Sequence, residues 1–359
     1  MSISNSPGGS LVFSAGPAAY REIRDIGFTI DRIGTLAGAS GGAKWLVLSQ
    51  LDRVVARRVL PHLQTPVHTI GTSIGAWRLA CYGQQNPLAA IDRFESAYLT
   101  QTYTEKPDRE EITARTSEIL DYVLGENGVK EILSNPRLRM HIMTVRCRGP
   151  LATENRLGLA LGLASVATMN IVSRKVLGAF FERVLFHDNR EGHPFDDLEG
   201  FPLREVELSE ANLKDAILAT GSIPLVLSGI KDIAGAPRGM YRDGGVIDYH
   251  LDFPHSAPQK LALYLHFYNY LKPGWFDKRL SWRQVGVANT DRTILISPSP
   301  EFVARLPNGK IPDRTDFTAL SPEARTRAWR GTVDACRELA DELEDVLEND
   351  RLAERLQPL

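Results

Sequence analysis

The chain has 359 residues, 43% of them hydrophobic, which is material for one large α/β domain or two smaller ones and excludes a disordered polymer. Its 42 Lys plus Arg against 44 Asp plus Glu leave a net charge of −2, so nothing global draws it to nucleic acid or anionic lipid. Cys81, Cys147 and Cys336 match neither a disulfide framework nor a Cys-ligated zinc, and residues 1–10 lack the apolar stretch of a secretory signal; a reducing, cytoplasmic setting is expected.

In chain order, short apolar runs at 10–14, 32–37, 67–70, 138–147, 261–268 and 293–297 read as strands. Apolar positions three and four apart read as helices over 43–59, 76–98 and 109–124. The apolar stretch 157–172 is interrupted by Asn170 and falls short of the roughly 20 residues of a membrane span. The Pro-rich segment 298–322 is expected to be a mobile surface crossing, and 321–356 one C-terminal helix with a solvated face. The simplest partition is a single domain, 1–359, with the strand–helix alternation of a layered α/β sheet.

The pattern Gly-x-Ser-x-Gly occurs twice, at Gly38-Ala39-Ser40-Gly41-Gly42 and at Gly71-Thr72-Ser73-Ile74-Gly75. A serine on a sharp strand-to-helix turn needs tiny neighbours two residues either side, because its hydroxyl must stand clear over the sheet. The second copy has a strand before it and a helix after it, so Ser73 fits such an elbow, flanked by Gly71 and Gly75. The first copy continues into Ala43-Lys44, a loop with bare N–H groups at a helix start, suited to stabilising an oxyanion. Ser40 stays as the alternative nucleophile; its upstream loop, Ser14-Ala15-Gly16-Pro17, has no glycine run and its proline has no N–H. As a phosphate-binding loop the first copy fails at Ala43 and Trp45.

Ser40-Gly41-Gly42-Ala43-Lys44, then Gly71-Thr72-Ser73-Ile74-Gly75-Ala76, then Ala219-Thr220-Gly221-Ser222-Ile223-Pro224 before Asp243-Gly244-Gly245, stand in an order that resembles the patatin-like phospholipase family. The departure is Ser40 where the family has a further glycine, which leaves open which N–H groups face the oxyanion. The resemblance spans Gly38 to Gly245 and implies a patatin-like fold, a mixed sheet covered by helices on both faces. It implies a Ser73–Asp243 dyad, with Gly41, Gly42, Ala43 and Lys44 as oxyanion or substrate-binding residues. The implied substrates are fatty acyl esters, of phospholipids or neutral lipids, with no cofactor and no metal.

Alternatives remain at this level. Asp248 competes locally with Asp243 and otherwise shapes the turn. His250 or His255 would complete a Ser-His-Asp triad of a small-ester hydrolase. A non-catalytic lipid-binding module is the reading outside enzymes. Residues 151–190, with Arg174 and Lys175 beside Phe180 and Phe181, pack into the core, or form a helical cap that rims an acyl pocket or touches a membrane peripherally.

Overall fold

The computed structural model describes residues 9–195, 198, 200–254 and 259–359. The chain opens with β1 (Leu11–Ala15), α1 (Pro17–Ile26) and β2 (Ile33–Gly38), and a tight helical turn at Gly42–Val47 leads into α2 (Ser49–Val54). Next come β3 (Val67–Thr72), α3 (Ile74–Tyr82) and α4 (Pro87–Thr100). The single helix expected over 76–98 is therefore two. The break lies at Asn86-Pro87: the Asn86 side chain accepts the Ala89 N–H at 3.1 Å, and proline suits a first helical turn.

The chain continues through α5 (Arg109–Leu124), α6 (Gly128–Ser134), β4 (Leu138–Cys147), α7 (Arg156–Val172), α8 (Leu177–Phe180) and β5 (Phe181–His187). The expected cap thus ends in a strand. It was hidden because Glu182 and Arg183 interrupt its apolar run, yet both are buried, Glu182 paired with Arg146 and Arg148 and Arg183 with Asp248. Beyond it lie β6 (Leu203–Glu207), α9 (Leu213–Gly221), β7 (Ile230–Lys231), β8 (Met240–Asp243), β9 (Leu261–Leu265) and β10 (Thr293–Pro298).

The Pro-rich segment is anchored, not a loose crossing. It holds α10 (Pro300–Arg305), capped by Ser299, and α11 (Asp316–Ala319), whose buried Asp316 accepts from Trp329 Nε1 at 2.9 Å. The expected C-terminal helix is divided into α12 (Pro322–Ala335), α13 (Arg337–Glu348) and α14 (Leu352–Arg355), then β11 (Leu356–Pro358). Asp350 breaks it with a φ of 51°, and Leu356 pairs with Phe13 in the sheet.

The strands form one mixed sheet ordered β11-β1-β10-β9-β2-β3-β4-β5-β6, with β8 against β4 and β7 against β8, and helices flank it. From β10 to β4 the neighbours run parallel. Residues of β2, β9 and β10 are buried at every position, as in a sheet covered on both faces. The edges are blunted: β6 exposes Arg204, Glu205 and Glu207, and the short β11 ends at Pro358.

The long strand β4 positions the site. Its first half pairs in parallel with β3, up to Thr72 beside Met143, and its second half pairs antiparallel with β8, from Asp243 beside Thr144. β3 and β8 therefore abut head-on along one edge of β4. Their facing ends carry Ser73 and Asp243.

Candidate active site

Ser73 follows β3 with φ 51° and ψ −131°, a conformation uncommon for a residue with a side chain, and α3 starts at the next residue. Thr220 holds this turn: its Oγ1 accepts the Ser73 N–H at 2.8 Å and donates to the Met143 carbonyl at 2.5 Å. A Cβ on Gly75 would overlap the Gly38 carbonyl, so the end of β2 and the start of α3 approach only because both residues are glycine. Gly38 thus serves close packing against the elbow.

Ser73 Oγ donates to Asp243 Oδ2 at 2.8 Å, and Gly245 N donates to Asp243 Oδ1 at 2.7 Å. The Asp243 N–H is tied to the Ser222 carbonyl at 3.2 Å, so the segment before Ile223-Pro224 braces both members of the pair. Burial lifts the Asp243 pKa to about 6, against the lowering effect of the Ser73 and Gly245 hydrogen bonds and of Lys278 and Arg314. A carboxylate so placed is ionised near neutrality yet basic enough to accept a hydroxyl proton.

Above the pair lies a cavity of about 170 Å³. Ser40, Gly41, Gly42 and Lys44 form one wall, while Ile223, Pro224, Val246, Tyr249 and Trp275 contribute apolar surface. In the glycine-bearing loop, Ser40 N donates to the Tyr249 carbonyl at 3.0 Å and Lys44 N to the Gly41 carbonyl at 3.4 Å. Among the described residues the N–H groups of Gly41, Gly42 and Ala43 have no such partner. Of these three residues Gly41 and Gly42 line the cavity, and Ala43 does not.

Ser40 lacks the left-handed backbone of Ser73 and packs where a Cβ on Gly245 would strike it. Asp248 does not face the cavity: it forms a fully buried bidentate pair with Arg183, both contacts at 2.7 Å, and its carbonyl accepts from Thr72 Oγ1 at 3.1 Å. It holds the β3 end in place as well as the turn. His250 is buried between Tyr249 and His266, and its Nδ1 accepts the Lys272 N–H at 2.9 Å; the structure does not bring it to Ser73 or Asp243. His255 lies outside the described residues.

No residue of 151–190 lines the cavity, so the expected cap does not rim it. α7 buries Leu159, Leu163 and Val166, and exposes Leu157, Leu161, Ile171 and Val172. Among the described residues no helix is long and apolar enough to cross a membrane. The wall residues that sequence reasoning missed are Lys278, Asp313 and Arg314. They lie beyond the last recognisable motif, and no local pattern marks them.

No protein-family model matches the chain, and no curated protein does. Among solved structures, VipD from Legionella pneumophila is similar with 13% identity and a TM-score of 0.36, covering 95% of this chain and 72% of that one. Human GIVD cytosolic phospholipase A2 is similar with 10% identity and a TM-score of 0.35 over 93% of this chain. This chain spans 62% of the human protein's length. Likenesses of this size carry no residue-by-residue correspondence.

Proposed function

We propose that this chain is a serine acyl hydrolase of the patatin-like type, acting on carboxylic esters of lipids through Ser73 and Asp243. The observation that carries the reading is the 2.8 Å hydrogen bond from Ser73 Oγ to a buried carboxylate, made from a strained elbow at the floor of a cavity. Strain of this kind, about 1–3 kcal/mol, persists where the surrounding structure enforces it and concentrates at functional sites.

In the proposed reaction Ser73 Oγ attacks the ester carbonyl while Asp243 takes the hydroxyl proton. The N–H groups of Gly41, Gly42 and Ala43 receive the oxyanion, each such donor worth roughly 3 kcal/mol in the transition state. The tetrahedral adduct collapses, the Oγ–acyl bond remains, and the leaving alkoxide takes its proton from Asp243. Water then attacks the acyl-enzyme, giving a proton to Asp243, and expulsion of Ser73 Oγ as it regains that proton frees the acid. Peripheral contact with a lipid surface through Leu157, Leu161, Ile171 and Val172 belongs to the same proposal.

Fluorophosphonate labelling mapped by mass spectrometry, with hydrolysis of a medium-chain p-nitrophenyl ester, tests it. We expect label on Ser73 and turnover reduced at least a thousandfold, to near background, in Ser73→Ala and Asp243→Asn, with circular dichroism unchanged. Label on Ser40 would move the nucleophile. Absence of label and turnover in folded wild type would favour a binding module.

A further inference from the structure

Several buried arginines of this protein are paired with carboxylates: Arg78 with Asp52 at 2.5 Å, Arg183 with Asp248 at 2.7 Å, and Arg242 with Glu154 at 2.7 Å. The cavity above Ser73 departs from that habit. Lys44, Lys278 and Arg314 all line it, brought together from three separate stretches of chain. Lys44 is half-buried, and Lys278 and Arg314 are exposed at the mouth. Among the described residues, none of the three has a carboxylate within ion-pairing distance of its side chain.

Their ring contacts are the substitutes: the Lys278 ammonium sits 3.9 Å from the Tyr249 ring centroid and the Lys44 ammonium 5.9 Å from that of Phe267. The two carboxylates in the wall are engaged elsewhere. Asp243 is held by Ser73 and Gly245, and Asp313 accepts from the Thr315 hydroxyl at 2.5 Å and N–H at 2.8 Å and lies 3.4 Å from Lys310. Lys278 is solvent-accessible, yet desolvation of its ammonium, and then the charges of Lys44 and Arg314, push it down to about 7 against the opposing pull of Asp243 and Asp313. Lys44 is lowered too, by burial first and against the opposing pull of Asp313, with Arg314 and Lys310 adding to the fall. Like charges gathered without a paired carboxylate lower one another's affinity for protons, an effect that Asp243 and Asp313 offset only in part, and an arriving anion removes that penalty.

The cavity size limits what part of a ligand enters. At about 170 Å³ it lies below the roughly 300–1,000 Å³ of pockets that engulf whole ligands, so it fits a head group and ester rather than a long chain. A guanidinium offers a planar fork to phosphate oxygens, and two ammonium groups add point charges.

We propose that Lys44, Lys278 and Arg314 form an anion subsite above Ser73 that selects esters bearing a phosphate monoester over zwitterionic and neutral ones. The inference rests on the acyl hydrolase reading for its substrate, but not for the binding of the anion itself. The phosphate can belong to a lipid head group or to a soluble phosphorylated ester.

The test uses the full chain and Lys278→Gln/Arg314→Gln. Thermal shift with inorganic phosphate, against sodium chloride at equal ionic strength, should show a saturable rise in Tm for wild type and at least tenfold weaker binding for the variant. Hydrolysis is then compared on dihexanoyl phosphatidic acid, dihexanoyl phosphatidylcholine, dihexanoylglycerol and 1-butyrylglycerol 3-phosphate. The ratio of kcat/KM on the phosphate monoesters to that on dihexanoylglycerol should fall at least tenfold in the variant, and the better phosphate monoester identifies the source. Saturable phosphate binding that the variant loses, without turnover of any ester, would keep the subsite and sink the hydrolase reading. No saturable binding, or an unchanged kcat/KM ratio in the variant, would overturn the subsite.

Discussion

As the proposed base, Asp243 owes its raised proton affinity to position alone. A surface aspartate is ionised far below neutrality and is a poor base; burial moves this one to about 6, where its two hydrogen bonds and nearby cations limit the rise. The base must be ionised to act, so kcat/KM should climb with pH through a limb centred near 6 and level off above it. A pH profile with a substrate that carries no titrating group checks this. A limb near 4 would show that the carboxylate is solvated during turnover. The pairing of Ser73 with Asp243 was legible because glycine, hydroxyl and carboxylate fall in short fixed patterns. Lys278 and Arg314 were not, because a cation facing a cavity and a cation facing water look alike in one dimension.

At the scale of elements, the motifs are brought together by ties that no motif contains. Arg183 of β5 pairs with Asp248, and Asp248 accepts from Thr72 at the end of β3, so a strand two places away in the sheet steadies the elbow. Both side chains of the pair are essentially without solvent contact, at 1% and 0% exposure. Removing one partner strands the other's charge in the interior, so Arg183→Met should cost about 3–5 kcal/mol in urea denaturation, with Arg183→Met/Asp248→Leu recovering much of it. The central strands were legible because their residues are apolar on both faces. β5 and β8 were not, since Glu182, Arg183 and Arg242 read as solvent-facing until their buried partners are known. The three late helices looked like one because periodicity says nothing about the breaks at Cys336 and Asp350.

The molecule as a whole carries almost no net charge, yet its titrating groups are unevenly placed. His68, His141, His193 and His187 meet in a chain of edge-on and tilted ring contacts, with ring centroids 5.2 Å apart from His68 to His141 and from His141 to His193, and 5.0 Å from His193 to His187. Phe195 closes one side, and Arg139, Asp188 and Glu191 supply the nearby charges. Burial first, then the neighbouring histidines, takes His68 down to about 4 and His141 well below its usual range. Both folded values lie under the ordinary histidine pKa, so the unfolded chain takes up protons first as pH falls. Stability should therefore be full above about 6.5 and drain away between there and about 4. Melting temperatures at pH 7 and pH 5 should differ by less in His68→Phe, if that variant folds, than in wild type; an equal loss would place the acid sensitivity elsewhere.

The head-on meeting of β3 and β8 along β4 also gives the Ser73–Asp243 pair a parity. Side chains alternate faces along a strand, so sliding β8 by a single residue against β4 would send Asp243 to the far side of the sheet. The acid and the alcohol sit beside consecutive residues of one template strand, Thr144 and, through Thr72, Met143. Their separation is then a property of the backbone repeat, not of side-chain reach. A misregistered molecule has no partly formed Ser73–Asp243 pair, so under the proposed function fluorophosphonate label should follow the fraction of correctly paired sheets.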